Sequence, residues 1–323
     1  MKKNLEAIKK AVKKAKSALI ATHIDPDGDA IGSMLALGQL LEKQMVKTTL
    51  YSFDGVPKIY RFLPGAERVV KNVPPLAHYD LIFVIDSSDP SRIGSAFNIR
   101  QIADLVINID HHPDNDAFGQ INYIKQSASV AEQIFELIKY FKLKINRGLA
   151  ECLYTAIITD TGNYRYESTS VRTFQIAAEL LKAGVNTHEL TTRIYDNKSI
   201  ASIKLCGLAL AHLQFTPDHR VAWATITEKQ VQDNLARNED LIGIVDRLRS
   251  IEGVEVAIFF REDKGKIKMN FRSKERTNVS AIAQTFGGGG HFKAAGAVVE
   301  GALDSVVDKV VQETIKQVRS AGF

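Results

Sequence analysis

The chain has 323 residues, of which 45% are hydrophobic and 24% charged, and a formal charge of +5. The length suits two domains, the composition is that of an ordinary soluble globular protein, and the small positive charge favours anionic partners without arguing for duplex DNA binding. No stretch is long and apolar enough to read as a membrane-spanning helix.

The first sixteen residues are rich in lysine, but Leu5, Ile8 and Val12 recur among them at helical spacing. This predicts an amphipathic helix with a solvated basic face rather than a signal peptide, with membrane-surface binding as the lesser alternative. Residues 18–21 form an apolar run that reads as a buried strand, and 30–41 read as a helix. A short strand is expected at 48–53 and a proline-bounded loop or short helix at 56–65. Residues 80–86 and 105–110 are continuous apolar runs, each ending in Asp, as suits strands covered on both faces. Helical patterns follow at 129–141, 149–158 and 171–182. Strands alternating with helices imply a mostly parallel sheet flanked by helices.

Beyond Gly184, residues 186–212 read as helices without strands and are expected to link two domains, 1–185 and 213–323. The second domain reads as a smaller α/β unit, with strands at 220–226, 254–261 and 266–272, a helix at 279–285 and a last helix at about 303–318. Cys152 and Cys206 lie in apolar helical patterns and read as buried thiols of a reducing compartment, so the cytoplasm is the expected location.

The stretch His23-Ile-Asp-Pro-Asp-Gly-Asp29 crowds one imidazole and three carboxylates into a loop between a strand and a helix. Taken alone it is also a good turn sequence. In a parallel sheet, however, ligands bind where strands end, and two more acidic strand ends follow. Asp86 and His111 each lie just past a buried strand, and Asp160 ends a helical pattern. The expected cluster is His23, Asp27, Asp29, Asp86, His111 and Asp160. Six ligands are too many for one tetrahedral zinc and suit two metals sharing Asp86 as a bridge. Mixed imidazole and carboxylate ligands fit manganese, iron, cobalt or zinc better than calcium.

Two metals roughly 3.5–4 Å apart activate a water and hold a phosphoryl oxygen, the chemistry of phosphate ester or anhydride hydrolysis. His112 is expected to diverge from His111, because adjacent side chains point apart. It is assigned to the leaving group or a phosphate oxygen as a donor or general acid. Asp110 is read as orienting a histidine, and Asp25 as a supporting acceptor or a turn residue. In the second domain, the run Gly287 to Gly290 ahead of His291 lets backbone approach a ligand and turn N–H groups toward phosphate. Gly288, Gly289, Gly290 and His291 are therefore candidate substrate contacts, as are Arg272 and Ser273 at a strand end. Arg165 reads equally as a phosphate contact or a surface residue. Tyr164 and Tyr166 read as core packing rather than base stacking.

These residues also carry a family resemblance. His23-x3-Asp27-x-Asp29, Asp86 after its strand, Asp110-His111-His112 and Asp160-Thr-Gly resemble the four motifs of the DHH phosphoesterase superfamily. Gly287-Gly-Gly-Gly-His291 followed by Ala294-Ala-Gly296 resembles the DHHA1 signature. The likeness spans nearly the whole chain and is strongest to the subfamily of compact nanoRNases that are also 3′-phosphoadenosine 5′-phosphate (pAp) phosphatases. It implies a manganese-dependent hydrolase of short RNAs, dinucleotides and pAp. One metal would be held by His23, Asp27 and Asp86 and the other by Asp29, Asp86, His111 and Asp160, in a cleft between the domains. A homodimer is compatible with the resemblance. A cyclic-di-AMP phosphodiesterase stands next to this reading. A pyrophosphatase-like hydrolase and a non-catalytic nucleotide sensor stand further off.

Overall fold

A computed structural model describes residues 2–74, 77–94 and 98–322, apart from the side chain of His291. It contains two compact units, Met1–Asp196 and Asn197–Phe323. No helix among the described residues is long and apolar enough to cross a membrane.

The first unit is built on six parallel strands: β1 (Ser17–Thr22), β2 (Lys47–Tyr51), β3 (Val69–Val70), β4 (Tyr79–Ile85), β5 (Ala103–Asp110) and β6 (Ile121–Ile124). Their order is β3-β2-β1-β4-β5-β6, so the chain reverses direction across the sheet beside β1 and β4. Alternation along each strand sends its residues to two cores. Ala18, Ile20, Phe83 and Ile107 join one cluster, while Leu19, Ala21, Ile82, Val84 and Val106 join another that includes Ile93 and Ile99. The larger cluster is filled from α1 (Lys2–Val12), α2 (Gly28–Lys43), α3 (Val130–Tyr140), α4 (Arg147–Asp160), α5 (Val171–Lys182) and α6 (Thr187–Tyr195). Helices α2 and α4 approach closely because Gly32 has no side chain. A Cβ there would meet the Cys152 carbonyl and lie 3.0 Å from the Ala156 methyl.

The second unit begins with α7 (Ile200–Ala211). Its six-stranded sheet runs β11-β12-β10-β9-β8-β7, formed by β7 (Gln214–Phe215), β8 (Val221–Ile226), β9 (Val256–Asp263), β10 (Lys266–Ser273), β11 (Gly289–His291) and β12 (Ala294–Glu300). Only the β8–β9 pairing is parallel. Val256, Ile258 and Phe260 pack with α10 (Val279–Thr285) and α11 (Leu303–Ser320), after the short α8 (Glu228–Asp233) and α9 (Ile244–Arg249). Ala257 and Phe259 turn the other way onto α7 and α9.

The stretch expected to be a helical linker is helical, but its two helices belong to different cores. Leu190 and Ile194 of α6 pack in the first unit and Leu205 and Ala209 of α7 in the second. Strands β6, β11 and β12 were not expected. β12 contains Ala294-Ala295-Gly296, whose small side chains carry no strand signal, yet it pairs along its length with β10.

Candidate metal centre

Each acidic motif lies at the carboxyl edge of the parallel sheet or at a helix end facing it. His23 follows β1, Asp86 follows β4, and Asp110 closes β5 ahead of His111 and His112. Asp160 is the last residue of α4. Asp27 is the N-cap of α2, with one oxygen accepting the Ala30 N–H at 3.0 Å. Asp29 is fully buried in the first turn of α2. Its carboxylate accepts the Ser33 hydroxyl at 2.9 Å and the N–H groups of Val130 and Ala131 at 2.6 and 3.2 Å. It thereby ties the N-terminus of α3 to the loop, where a negative charge is favoured.

Asp86 is the centre of the arrangement. Its backbone is left-handed, with φ 54°, a conformation that costs a non-glycine residue about 1 kcal/mol or more. Its two oxygens point different ways: Oδ2 lies 3.5 Å from His23 Nε2, and Oδ1 lies 3.5 Å from His111 Nε2. His111 Nε2 is also 3.5 Å from Asp160. Ligand atoms of His23, Asp27 and Asp86 come together within 4.8 Å of one another, and so do those of Asp29, His111 and Asp160.

Both histidines are oriented as metal ligands are. His23 Nδ1 is 2.7 Å from the Ile24 carbonyl and His111 Nδ1 is 3.0 Å from the Ser127 carbonyl. A proton on each Nδ1 satisfies those carbonyls and leaves Nε2 to the cluster. The donor set therefore fits divalent cations bound by nitrogen and oxygen.

Protonation follows from this crowding. Burial lowers the His23 pKa, but the hydrogen bond and charge of Asp86, with the charge of Asp27, outweigh it and raise the value to about 9. Burial likewise lowers that of His111, and Asp160 and Asp86 reverse the effect, leaving it well above the usual imidazole range. Asp86 is held well below the carboxylate range: burial opposes ionisation, and the two histidines overcome it. Burial raises Asp160 to about 7, and burial with the charges of Asp86 and Asp160 raises Asp29 well above its ordinary value. Without cations, protons on these groups offset the repulsion among the carboxylates, and that offset fades as pH rises through about 7 for Asp160 and about 9 for His23.

His112 corrects one expectation. It does not diverge from His111; the rings sit edge to face with centroids 5.0 Å apart, and ligand atoms of Asp86, His111 and His112 also converge within 4.8 Å. Strand alternation stops at Asp110, so the two neighbours are not sent to opposite sides. His112 Nδ1 lies 2.7 Å from Asp110 Oδ1, while the other Asp110 oxygen accepts the Asn115 amide at 2.5 Å. Gln133 donates to the carbonyls of Asp110 and Tyr123 at 2.9 and 2.7 Å, fixing the end of β5 against α3. Neither Asn115 nor Gln133 stands out in the sequence, since each acts through a fold-dependent partner. Tyr60 was also missed. Its phenol meets the Gly28 N–H beside Asp27 in a buried setting that pushes its pKa up. It lies in the 56–65 segment, which the sequence marks only as a proline-bounded loop or short helix.

The remaining candidates are less gathered. Asp25 is exposed and left-handed at φ 51°, with its N–H bonded to Asp54 at 2.7 Å, as a turn residue would be. Arg165 is exposed, and its Nε donates to the Gly162 carbonyl at 2.6 Å. Tyr164 stacks on Phe174 at 5.0 Å.

In the second unit, Arg272 lies 3.5 Å from Asp246, and Ser273 is fully buried, its hydroxyl 3.5 Å from the Phe292 carbonyl. Two of the glycines are required by the sheet itself. A Cβ on Gly288 would strike the Gly296 carbonyl and lie 2.6 Å from the Ala297 Cβ, and one on Gly290 would lie 2.5 Å from the Ala294 carbonyl. Gly289 has open space around it. The His291 side chain lies outside the described residues.

A parallel sheet gathering carboxylates and imidazoles beyond its strand ends defines an α/β domain with a candidate centre for divalent cations. Comparison with known proteins narrows the class. Residues 17–157 match the model of the DHH family N-terminal domain, and residues 221–319 match the DHHA1 domain. The chain is 34% identical over 306 residues to a Thermus thermophilus protein named bifunctional oligoribonuclease and PAP phosphatase NrnA, covering 94% of this chain and 91% of that one. A Bacillus subtilis protein of the same name is 27% identical over 285 residues, covering 87% and 88%. A crystal structure of an exopolyphosphatase-related protein from Bacteroides fragilis superposes with a TM-score of 0.92 at 26% identity, covering 100% of this chain and 98% of that one. The protein belongs to the DHH–DHHA1 phosphoesterase family.

Proposed function

We propose that this protein is a two-metal phosphoesterase, preferring manganese, that releases 5′-mononucleotides from RNAs of a few nucleotides and dephosphorylates pAp. One observation carries the metal chemistry: Asp86 directs one oxygen to each of two histidines, and each histidine belongs to its own ligand group. The substrate class is supported by the relatives that bear the name bifunctional oligoribonuclease and PAP phosphatase across nearly the full chain.

In this reading, His23, Asp27 and Asp86 would hold one cation, and Asp29, Asp86, His111 and Asp160 would hold the other. Divalent cations held there would supply an activated water and offset charge on the phosphoryl oxygens. Four aspartates and two divalent cations balance, so an incoming phosphate is not repelled by net negative charge. His112, with its Nδ1–H committed to Asp110, would in its imidazolium form donate the Nε2 proton to the leaving oxygen and be left as the neutral ring. Arg272, His291 and the backbone around Gly289 are the candidates for holding the rest of the nucleotide. Arg165 is a further candidate. The cytoplasm is the compartment in which such substrates arise, and a homodimer remains part of the reading.

The test is a side-by-side hydrolysis assay with manganese-loaded protein on pApA, a pentanucleotide RNA, a long RNA, pAp, cyclic-di-AMP and pyrophosphate. Asp86→Asn serves as the control. Turnover of pApA, the pentamer and pAp, abolished in Asp86→Asn, is expected. Fastest cleavage of cyclic-di-AMP would move the function to second-messenger turnover. No cleavage with any divalent metal would overturn the catalytic reading.

A further inference from the structure

The positive charge of the chain is concentrated in two places. Residues 1–16 hold seven lysines and one glutamate, and residues 139–147 hold three lysines and an arginine with no acid. All other residues together carry five more acidic than basic side chains, so these two stretches account for the whole excess.

They meet in the fold. Lys9 Nζ lies 4.9 Å from the centre of the Tyr140 ring and 5.6 Å from that of Phe141, and the Tyr140 hydroxyl donates to Glu6. Helix α1 thus lies against the end of α3 and the turn that follows it. Because α3 starts beside Asp29 at the carboxyl edge of the sheet, its last turn lies toward the opposite edge. The turn after α1 is tied to that edge too. The N–H groups of Lys16 and Ser17 both bond to Asp80 at the start of β4, at 2.5 and 3.0 Å, and Ser17 pairs in register with Lys47 at the start of β2. Lys10, Lys13, Lys14, Lys47, Lys142 and Lys144 are all exposed, and none forms an ion pair among the described residues.

The chemistry of this face selects its partner. Lysine ammonium groups contact phosphates as point charges without reading bases. A membrane surface is disfavoured, since interfacial helices insert an apolar side, whereas Ile8 and Val12 of α1 are 0% and 1% exposed. We propose that this lysine face, on the far side of the sheet from the metal centre, docks the phosphate backbone of RNA longer than the substrate. It would hold the enzyme where short fragments are released. Only the choice of RNA over other phosphate polymers rests on the proposed function.

The experiment measures anisotropy of a fluorescein-labelled 30-nucleotide RNA with full-length protein carrying Asp86→Asn in chelator, which removes hydrolysis and metal-mediated binding. The variant K10Q/K13Q/K14Q/K142Q/K144Q is compared with the control K229Q/K309Q, two exposed lysines of the second unit. The five-lysine variant should bind about a hundredfold more weakly at low salt, and its log–log salt slope should shrink by about three to five. The control should stay within twofold. In the otherwise wild-type enzyme the same five changes should leave pApA turnover within twofold.

Absence of RNA binding by the parent, equal binding by the five-lysine variant, or an equal loss in the control would overturn the proposal. So would tight binding to phosphatidylglycerol vesicles with none to RNA. A wild-type enzyme that cleaves no pApA, with lysine-dependent RNA binding intact, fails the proposed function and supports the docking face.

Discussion

Gly28→Ala should disable the metal centre through packing alone. Gly28 lies between Asp27 and Asp29, and Thr159 immediately precedes Asp160. A methyl at position 28 would lie 2.5 Å from Thr159 Cγ2 and 2.8 Å from Thr159 Cβ, and would press on Oγ1 as well. Comfortable carbon contacts begin near ~3.5 Å, so the loop and α4 must part by roughly 1 Å. Thr159 has little freedom to turn away, because its hydroxyl donates to the carbonyls of Thr155 and Ala156 at 2.9 and 3.0 Å. Overpacking of this kind costs about 1–3 kcal/mol, or roughly 2–12 °C in Tm for a unit of this size. The displacement acts directly between Asp27 or Asp29 and Asp160, and a misplacement of ~1 Å costs on the order of a hundredfold in rate. Calorimetric manganese titration and pApA turnover would measure both effects. Adding Thr159→Ala removes the Oγ1 and Cγ2 contacts and should restore part of each. Gly28→Ala protein with wild-type metal affinity and turnover would refute the reasoning.

Other expectations follow from the same geometry. In Asp110→Asn the remaining amide oxygen is claimed by the Asn115 donor, which turns the new NH2 toward His112 Nδ1 and favours the wrong tautomer, and this should lower kcat by about 10²–10⁴-fold while KM and manganese affinity hold. Equal losses in KM and metal affinity would instead mark Asp110 as a purely structural residue. In chelator, stability should fall as pH rises. Asp160, raised from 3.8 to about 7, contributes fully below pH ~4 and loses its contribution as pH rises through 7. His23, raised from 6.5 to about 9, contributes fully below ~6.5 and loses its contribution as pH rises through 9. Asp86 acts oppositely, since its lowered pKa gives stability above ~3.8 that is lost only in stronger acid. Thermal melts from pH 5 to 9 should therefore decline without metal, and manganese should raise Tm more at pH 8.5 than at pH 6; the reverse order would contradict the proton-for-metal exchange. Burial pushes the Cys152 thiol up to about 12, so iodoacetamide should leave it unmodified in the native protein, as peptide mass mapping would read.

Much of the centre was visible before any fold was known. Local physics placed its residues: a continuous apolar run that ends in Asp is a buried strand delivering a carboxylate to the sheet edge, as β4 and β5 do, and β1 delivers the His23 imidazole in the same way. The helical periods that became α2, α4 and α11 were legible for the same reason, because burial repeats with the turn of the helix. What the sequence could not contain were partnerships between distant residues. Asp29 reads as one more ligand, yet it also caps α3 a hundred residues away. His112 was expected to turn from His111 because adjacent side chains point apart, but the strand had already ended, and Asp110 decided its direction. Gly288 and Gly290 look like ligand-facing backbone until β12, itself hidden by small side chains, is seen to fill the space a Cβ would need. The sequence by itself determined which carboxylates and imidazoles reach the carboxyl edge of the sheet, because that depends on neighbours a few residues apart. Tertiary structure alone decided which oxygen faces which imidazole, because those distances depend on how strands and helices from separate parts of the chain pack together.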